Sequence, residues 1–118
     1  MADHGIFIGW GELVVGRERQ SRQVFGEALA YIAAQEQAGS VESHEVVLLT
    51  AHGGDLQGFM LMRGDRDKLH EVVTSPEWQR LVTRASFIAR DFGIVRAVLD
   101  SEALRVVQEM EAKTADLE

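Results

Sequence analysis

Four histidines, a scatter of carboxylates and no cysteine are the chemistry-bearing residues of this chain. The pair with the most useful spacing is His52 and Asp55, separated by Gly53 and Gly54. An imidazole that titrates near neutrality and is oriented by a carboxylate can serve as a general base. The plainer reading of the same residues is an aspartate bonding its own turn and a histidine packed at a strand end. Glu12 is the second candidate, because it shares a strand parity with Trp10, Ile6 and Ile8. A carboxylate enclosed beside an indole has a raised pKa and can act as an acid or base. If the strand has already ended there, Glu12 is a solvated glutamate. His44 shares parity with Val46 and Leu48, which places it in the core, at its rim, or against a ligand.

Other chemistries are excluded or disfavoured. Without cysteine there are no disulfides, thiolate metal sites or cysteine nucleophiles. No two histidines stand at helical ligand spacing and no HExxH is present, so neither a metal nor a cofactor is expected. Gly9-Trp10-Gly11 is not a dinucleotide fingerprint, since the third glycine of GxGxxG would fall at Val14. Asp91-Phe92-Gly93 copies a kinase tripeptide in a chain with no room for a kinase. Arg17, Arg19 and Arg22 could hold a carboxylate or phosphate at a helix start, or form a solvated start that Glu18 partly neutralises. The net charge of −7 argues against nucleic acid and anionic membrane surfaces as partners. No secretory leader and no membrane-spanning apolar run is visible, so a soluble cytoplasmic protein is expected.

The elements that must position these residues are organised around VVLLTAHGGDLQGFMLMR, Val46 to Arg63. Two apolar runs flanking a Gly-Gly-Asp tip predict a hairpin, with strands near Glu45–Ala51 and Gln57–Arg63. A first strand opens at Ile6 and ends by Leu13 to Val15. Val24, Phe25, Ala28, Leu29 and Ile32 then recur at helical spacing, and Gly39 stands where a C-terminal glycine belongs. Asp65–Thr74 predicts a short helix. Ser75-Pro76-Glu77-Trp78 opens the next with a capping serine, a proline at the first helical position and an early acid. That helix carries Trp78, Leu81, Val82, Ala85 and Ile88 and is expected to close at Gly93. Ile94–Leu99 is the fourth strand. Asp100 or Ser101 caps a last helix bearing Leu104, Val107 and Met110, beyond which the chain should fray.

One domain over residues 1–118 is expected from the length. Strand, helix, two strands, helix, strand is the ferredoxin-like β-α-β-β-α-β order, an α+β fold with helices on one face of a four-stranded antiparallel sheet. Both hairpin strands are apolar on both parities, so the face away from the helices also wants cover. A second copy packing sheet face to sheet face supplies it, which predicts a homodimer.

The element order over Ile6–Leu99 resembles the dimeric α+β barrel superfamily. Ser75-Pro76-Glu77-Trp78-Gln79 and the hairpin followed by Arg63-Gly64-Asp65 resemble it locally. That group includes the antibiotic-biosynthesis monooxygenases and muconolactone-isomerase-like proteins. The run His52-Gly53-Gly54-Asp55-Leu56 is most similar to an uncharacterised branch. No catalytic residues are carried over. The C-terminal helix is an addition to the basic unit, placed to cover an edge or cross to a partner.

Three functions follow as expectations. The first is a protein binding a small apolar or aromatic molecule in a cavity between sheet and helices. Trp10, His44, Phe59, Met60, Met62, Trp78 and Phe87 are its candidate lining. The second, which the resemblance raises, is a cofactor-independent monooxygenase or isomerase with His52, Asp55 or Glu12 as acid and base. The third is a structural or partner-binding dimer, whose cavity would be filled by its own side chains.

Overall fold

The computed structural model describes residues 2–117. Strands β1 (His4–Trp10), β2 (Ser43–Leu48), β3 (Gly58–Gly64) and β4 (Gly93–Val98) form a sheet in the order β2-β3-β1-β4. Every neighbouring pair is antiparallel. Helices α1 (Glu18–Gln37), α2 (Arg66–Val73) and α3 (Pro76–Ile88) cover one face, and α4 (Asp100–Thr114) follows the last strand. This is the expected α+β, ferredoxin-like arrangement.

The register fixes which parity faces the helices. Ile6 pairs with Met62, Ile8 with Met60, and Ile8 also with Ile94. These even-numbered residues form the core together with Ile32, Val41, Leu69, Val72 and Trp78. The odd-numbered residues form the other face. Phe7 stacks on Phe59 with ring centroids 5.0 Å apart, and Leu61, Val47 and Val95 lie on the same side.

The caps explain the helix boundaries. Asp65 accepts hydrogen bonds from the main-chain N–H groups of Asp67 and Lys68, and Ser75 accepts one from Trp78. Gly39, at φ +84°, ends α1 in the left-handed conformation that glycine tolerates best. Several boundaries differ from expectation, β2 among them, which spans Ser43–Leu48 and not Glu45–Ala51. His4 lies within β1, paired with Gly64 and Val98, because both neighbouring strands extend far enough to hold it. Helix α3 stops at Ile88, well before Gly93, because residues 88–90 turn to pair with the segment after β1. There Gly11 N–H donates to Arg90 O, Arg90 N–H to Glu12 O, and Val14 N–H to Ile88 O. Helix α4 has no side-chain cap. Ser101 instead donates its hydroxyl to Asp3, and the Asp100 carboxylate stands 3.7 Å from Arg63.

Helix α4 contributes no buried residue; Leu104, Val107 and Met110 are each about half exposed or more. The described chain is accordingly elongated, 54 × 38 × 22 Å.

Candidate ligand cavity

A cavity of about 440 Å³ lies between the sheet and helices α1 and α3. Ile8, Trp10, Met60 and Ile94 form its floor, rising from the even parity of β1, β3 and β4. Val24, Phe25 and Ala28 of α1 and Trp78, Leu81 and Ala85 of α3 form its roof. These are the helical stripes read from the sequence, set far enough apart to leave space between them. Leu48, Leu13 and Phe92 complete the walls.

The two tryptophans of the chain both face this space, and each is held in place. Trp10 lies directly over Gly58, its cross-strand partner. A Cβ on Gly58 would come within 2.7 Å of Trp10 Cζ2, so only glycine seats the indole there. Phe25 meets the Trp10 ring edge-on, with centroids 6.0 Å apart at 79°. Trp78 lies in the first turn of α3, where Ser75 fixes its backbone and Tyr31 packs on its ring at 6.2 Å. The Ser75 hydroxyl donates to Val72 O at 2.8 Å, so the 2.9 Å contact with Tyr31 has the phenol as donor.

Polar groups reach the cavity at one place. Glu18, Ser21 and Arg22, all in the first turns of α1, border it, and the rest of the lining is apolar. Ser21 is buried and donates its hydroxyl to Arg17 O at 2.8 Å. The Glu18 carboxylate accepts from the Gly16 N–H at 3.1 Å. That bond, its own N–H and the nearby Arg22 charge hold its pKa below the usual carboxylate value. Arg17 is tied away from the cavity: Nη1 donates to Phe87 O at 2.6 Å and the guanidinium lies 3.8 Å above the Phe87 ring.

The structure places the remaining sequence candidates elsewhere. Phe59 belongs to the opposite sheet face, stacked on Phe7. Met62 is fully buried in the core away from the cavity, and Phe87 is 54% exposed beneath Arg17. His44 has the helix-side parity, but its Nδ1 sits 2.9 Å from Glu36 and ties β2 to the last turn of α1. Of the seven candidate lining residues, Trp10, Met60 and Trp78 border the cavity.

His52, Asp55 and Glu12 lie at one end of the sheet, because Gln57 N–H donates to Trp10 O and brings the β2–β3 loop beside the segment after β1. None of the three borders the cavity, and all are exposed. His52 Nε2 lies 2.7 Å from Leu56 O, a carbonyl that only accepts, so the proton is on Nε2. Nδ1 then accepts from the Gly54 N–H at 3.3 Å. Both ring nitrogens are thus engaged with the loop's own backbone, and the Asp55 carboxylate is not among the partners of His52. Among the described residues no three histidine, aspartate or glutamate side chains gather as a metal site.

In the sequence Arg22 stands out only as part of a basic cluster, and Ser21 and Gly58 do not stand out. A signal for the first two existed: residues 21 and 22 continue the 24, 25, 28, 32 stripe back by one turn. The role of Gly58 needs the register, which pairs it with Trp10.

No protein-family model matches the sequence, and no curated protein matches it. Solved structures do match in shape. A DABB family protein with a ferredoxin-like fold from Mesorhizobium loti is 13% identical. The match covers 83% of this chain and 98% of that one, with a TM-score of 0.64. The chain has the ferredoxin-like fold. A dimeric ferredoxin-like protein of unknown function from Thermobifida fusca is also similar, at 13% identity and a TM-score of 0.61, over 81% of this chain and 91% of that one. SnoaB, a cofactor-independent oxygenase from Streptomyces nogalater, is 16% identical with a TM-score of 0.57, over 85% of this chain and 96% of that one.

Proposed function

We propose that this protein binds a small apolar or aromatic molecule in the cavity between the sheet and helices α1 and α3. The observation that carries the reading is the open space of about 440 Å³ walled by Trp10, Phe25, Met60 and Trp78. Ligand cavities span roughly 300–1,000 Å³ and are mostly apolar with a few polar groups, and this one conforms in size and character. A purely structural dimer would have filled the space with its own side chains.

The test uses the protein's two tryptophans, both of which border the cavity. Two- and three-ring aromatic compounds should quench or shift their emission saturably. Filling the space with Ala28→Leu should weaken binding while the thermal midpoint holds. Binding that survives Ala28→Leu and Ala85→Leu together would place the ligand elsewhere.

The protein acts as a homodimer through the odd-numbered sheet face. Phe7, Phe59, Leu61, Val47 and Val95 make that face apolar, and Val95 is 58% exposed. Such a face on a lone subunit is an interaction surface. The similar Thermobifida fusca protein is described as dimeric. Leu99, the residue before α4, reaches the same face: a Cβ on Gly5 would meet Leu99 at 3.1 Å and Leu61 at 3.2 Å. The exposed stripe of α4 begins where the sheet face ends, which places α4 to extend that interface.

A catalytic reading has one observation in its favour, the shape shared with a cofactor-independent oxygenase. In that reading the carboxylate at the cavity is Glu18, since His52, Asp55 and Glu12 stand outside the cavity and exposed. Loss of turnover in Glu18→Gln with intact ligand binding is the outcome that supports it.

A further inference from the structure

We infer that the cavity's ligand carries an anionic group at one end, a carboxylate or phenolate, and that Arg22 is the residue that selects it. This rests on the cavity being a ligand site, and concerns which ligands it prefers.

The cavity is polar at one end only. An apolar ligand with one polar end matches a lining whose polar residues, Glu18, Ser21 and Arg22, all stand together at the start of α1. The sign of that end follows from how the three groups are engaged. Ser21 has given its hydroxyl hydrogen to Arg17 O. Glu18 holds the Gly16 N–H, which with the neighbouring Arg22 charge keeps it ionised. Arg22 makes no ion pair and no side-chain hydrogen bond among the described residues. By contrast Arg17, Arg63, Arg84 and Arg105 are each committed to a protein group. Arg22 is therefore the cation at the rim with its donors unspent, and a guanidinium presents them in a fork suited to a carboxylate. The tryptophans at positions 10 and 78 favour a flat body behind that head group.

The experiment compares 2-naphthoate with its neutral isostere 2-naphthamide by titration calorimetry, in the full chain and in Arg22→Gln. The carboxylate should bind about fivefold more tightly than the amide, the size expected for a charge pair at an exposed rim. Arg22→Gln should abolish that preference, while Arg22→Lys should keep part of it. The preference should shrink as salt rises. Glu18→Gln, which removes the competing charge, should tighten the carboxylate further. Equal binding of the two ligands, or a preference that survives Arg22→Gln, overturns the assignment to Arg22 and leaves the cavity reading standing. If neither ligand binds, the cavity reading itself fails.

Discussion

Replacing Gly58 with alanine tests the seat of Trp10 and, through it, the geometry of the cavity. The added Cβ would lie 2.7 Å from Trp10 Cζ2, 3.0 Å from Trp10 Cε2 and 3.0 Å from the Val47 carbonyl oxygen. Neither partner yields easily, since the indole is braced by Phe25 and the carbonyl belongs to the neighbouring strand. Overpacking of this kind costs about 1–3 kcal/mol. The substitution also stiffens the unfolded chain, which returns about 0.5–1 kcal/mol. The balance is a loss of about 1–2 kcal/mol. With a urea slope of roughly 1–3 kcal/mol per molar, the midpoint should fall by about 0.5–1 M at fixed protein concentration. Tryptophan emission should shift in the native baseline as the indole moves. In a Trp10→Leu background the ring is gone, so the same glycine substitution should cost about 1 kcal/mol less, a coupling that a double-mutant cycle isolates. An unchanged or raised midpoint in Gly58→Ala would refute the argument. The same loss in both backgrounds would move the clash to the Val47 carbonyl.

Ser75→Ala removes the acceptor for Trp78 N–H and the contact with Tyr31, and should lower stability by about 1–2 kcal/mol in thermal melts; a change of a few tenths would show that Pro76 and packing alone start α3. Glu27 receives two hydrogen bonds from Arg84, at 2.8 and 3.1 Å, and chiefly for that reason its pKa lies below the ordinary 4.5. A depressed carboxylate adds stability that is fully present above its unfolded value and is lost as pH falls through the lower folded one. Glu27→Gln should therefore unfold with a weaker acid dependence below about pH 4.5, and identical acid profiles would count against the pair. Val95→Glu puts a charge on the exposed sheet face and should yield folded monomer by light scattering; a dimer that persists would move the interface off that face.

Much of the architecture was legible because each signal was local. The Ser75-Pro76 helix start, the Asp65 cap, the Gly39 terminator and the 3.6-residue stripes each act within a turn or two of chain. What escaped depended on partners far apart in sequence. His4 joins a strand because residues 64 and 98 reach it, and α3 ends at Ile88 because residues 11–14 compete for its last backbone groups. Gly93, the expected terminator, instead begins β4. The Asp100 and Ser101 side chains, both good cap residues, are drawn instead to Arg63 and Asp3.

The candidate site was harder to read for a reason that also bears on function. The hairpin strands are apolar on both parities, so the sequence offers Phe59 and Met60 as equally good lining. Pairing breaks the tie: Met60 lies across from Ile8 on the helix side, and Phe59 goes to Phe7 on the other. The two parities then do different work, the even one enclosing a cavity and the odd one offering a flat apolar surface. Neighbouring residues of one strand serve both faces, so a shift of the strand on the outer side would also move the cavity floor. Val95 and Ile94 are adjacent in β4, one exposed on the outer face and the other in the cavity wall. If the outer face is the dimer interface, a dimer-breaking substitution at Val95 should therefore also weaken ligand binding, although its side chain points away from the ligand. Affinity in Val95→Glu that matches the unmodified protein would show that each subunit's cavity is complete without its partner.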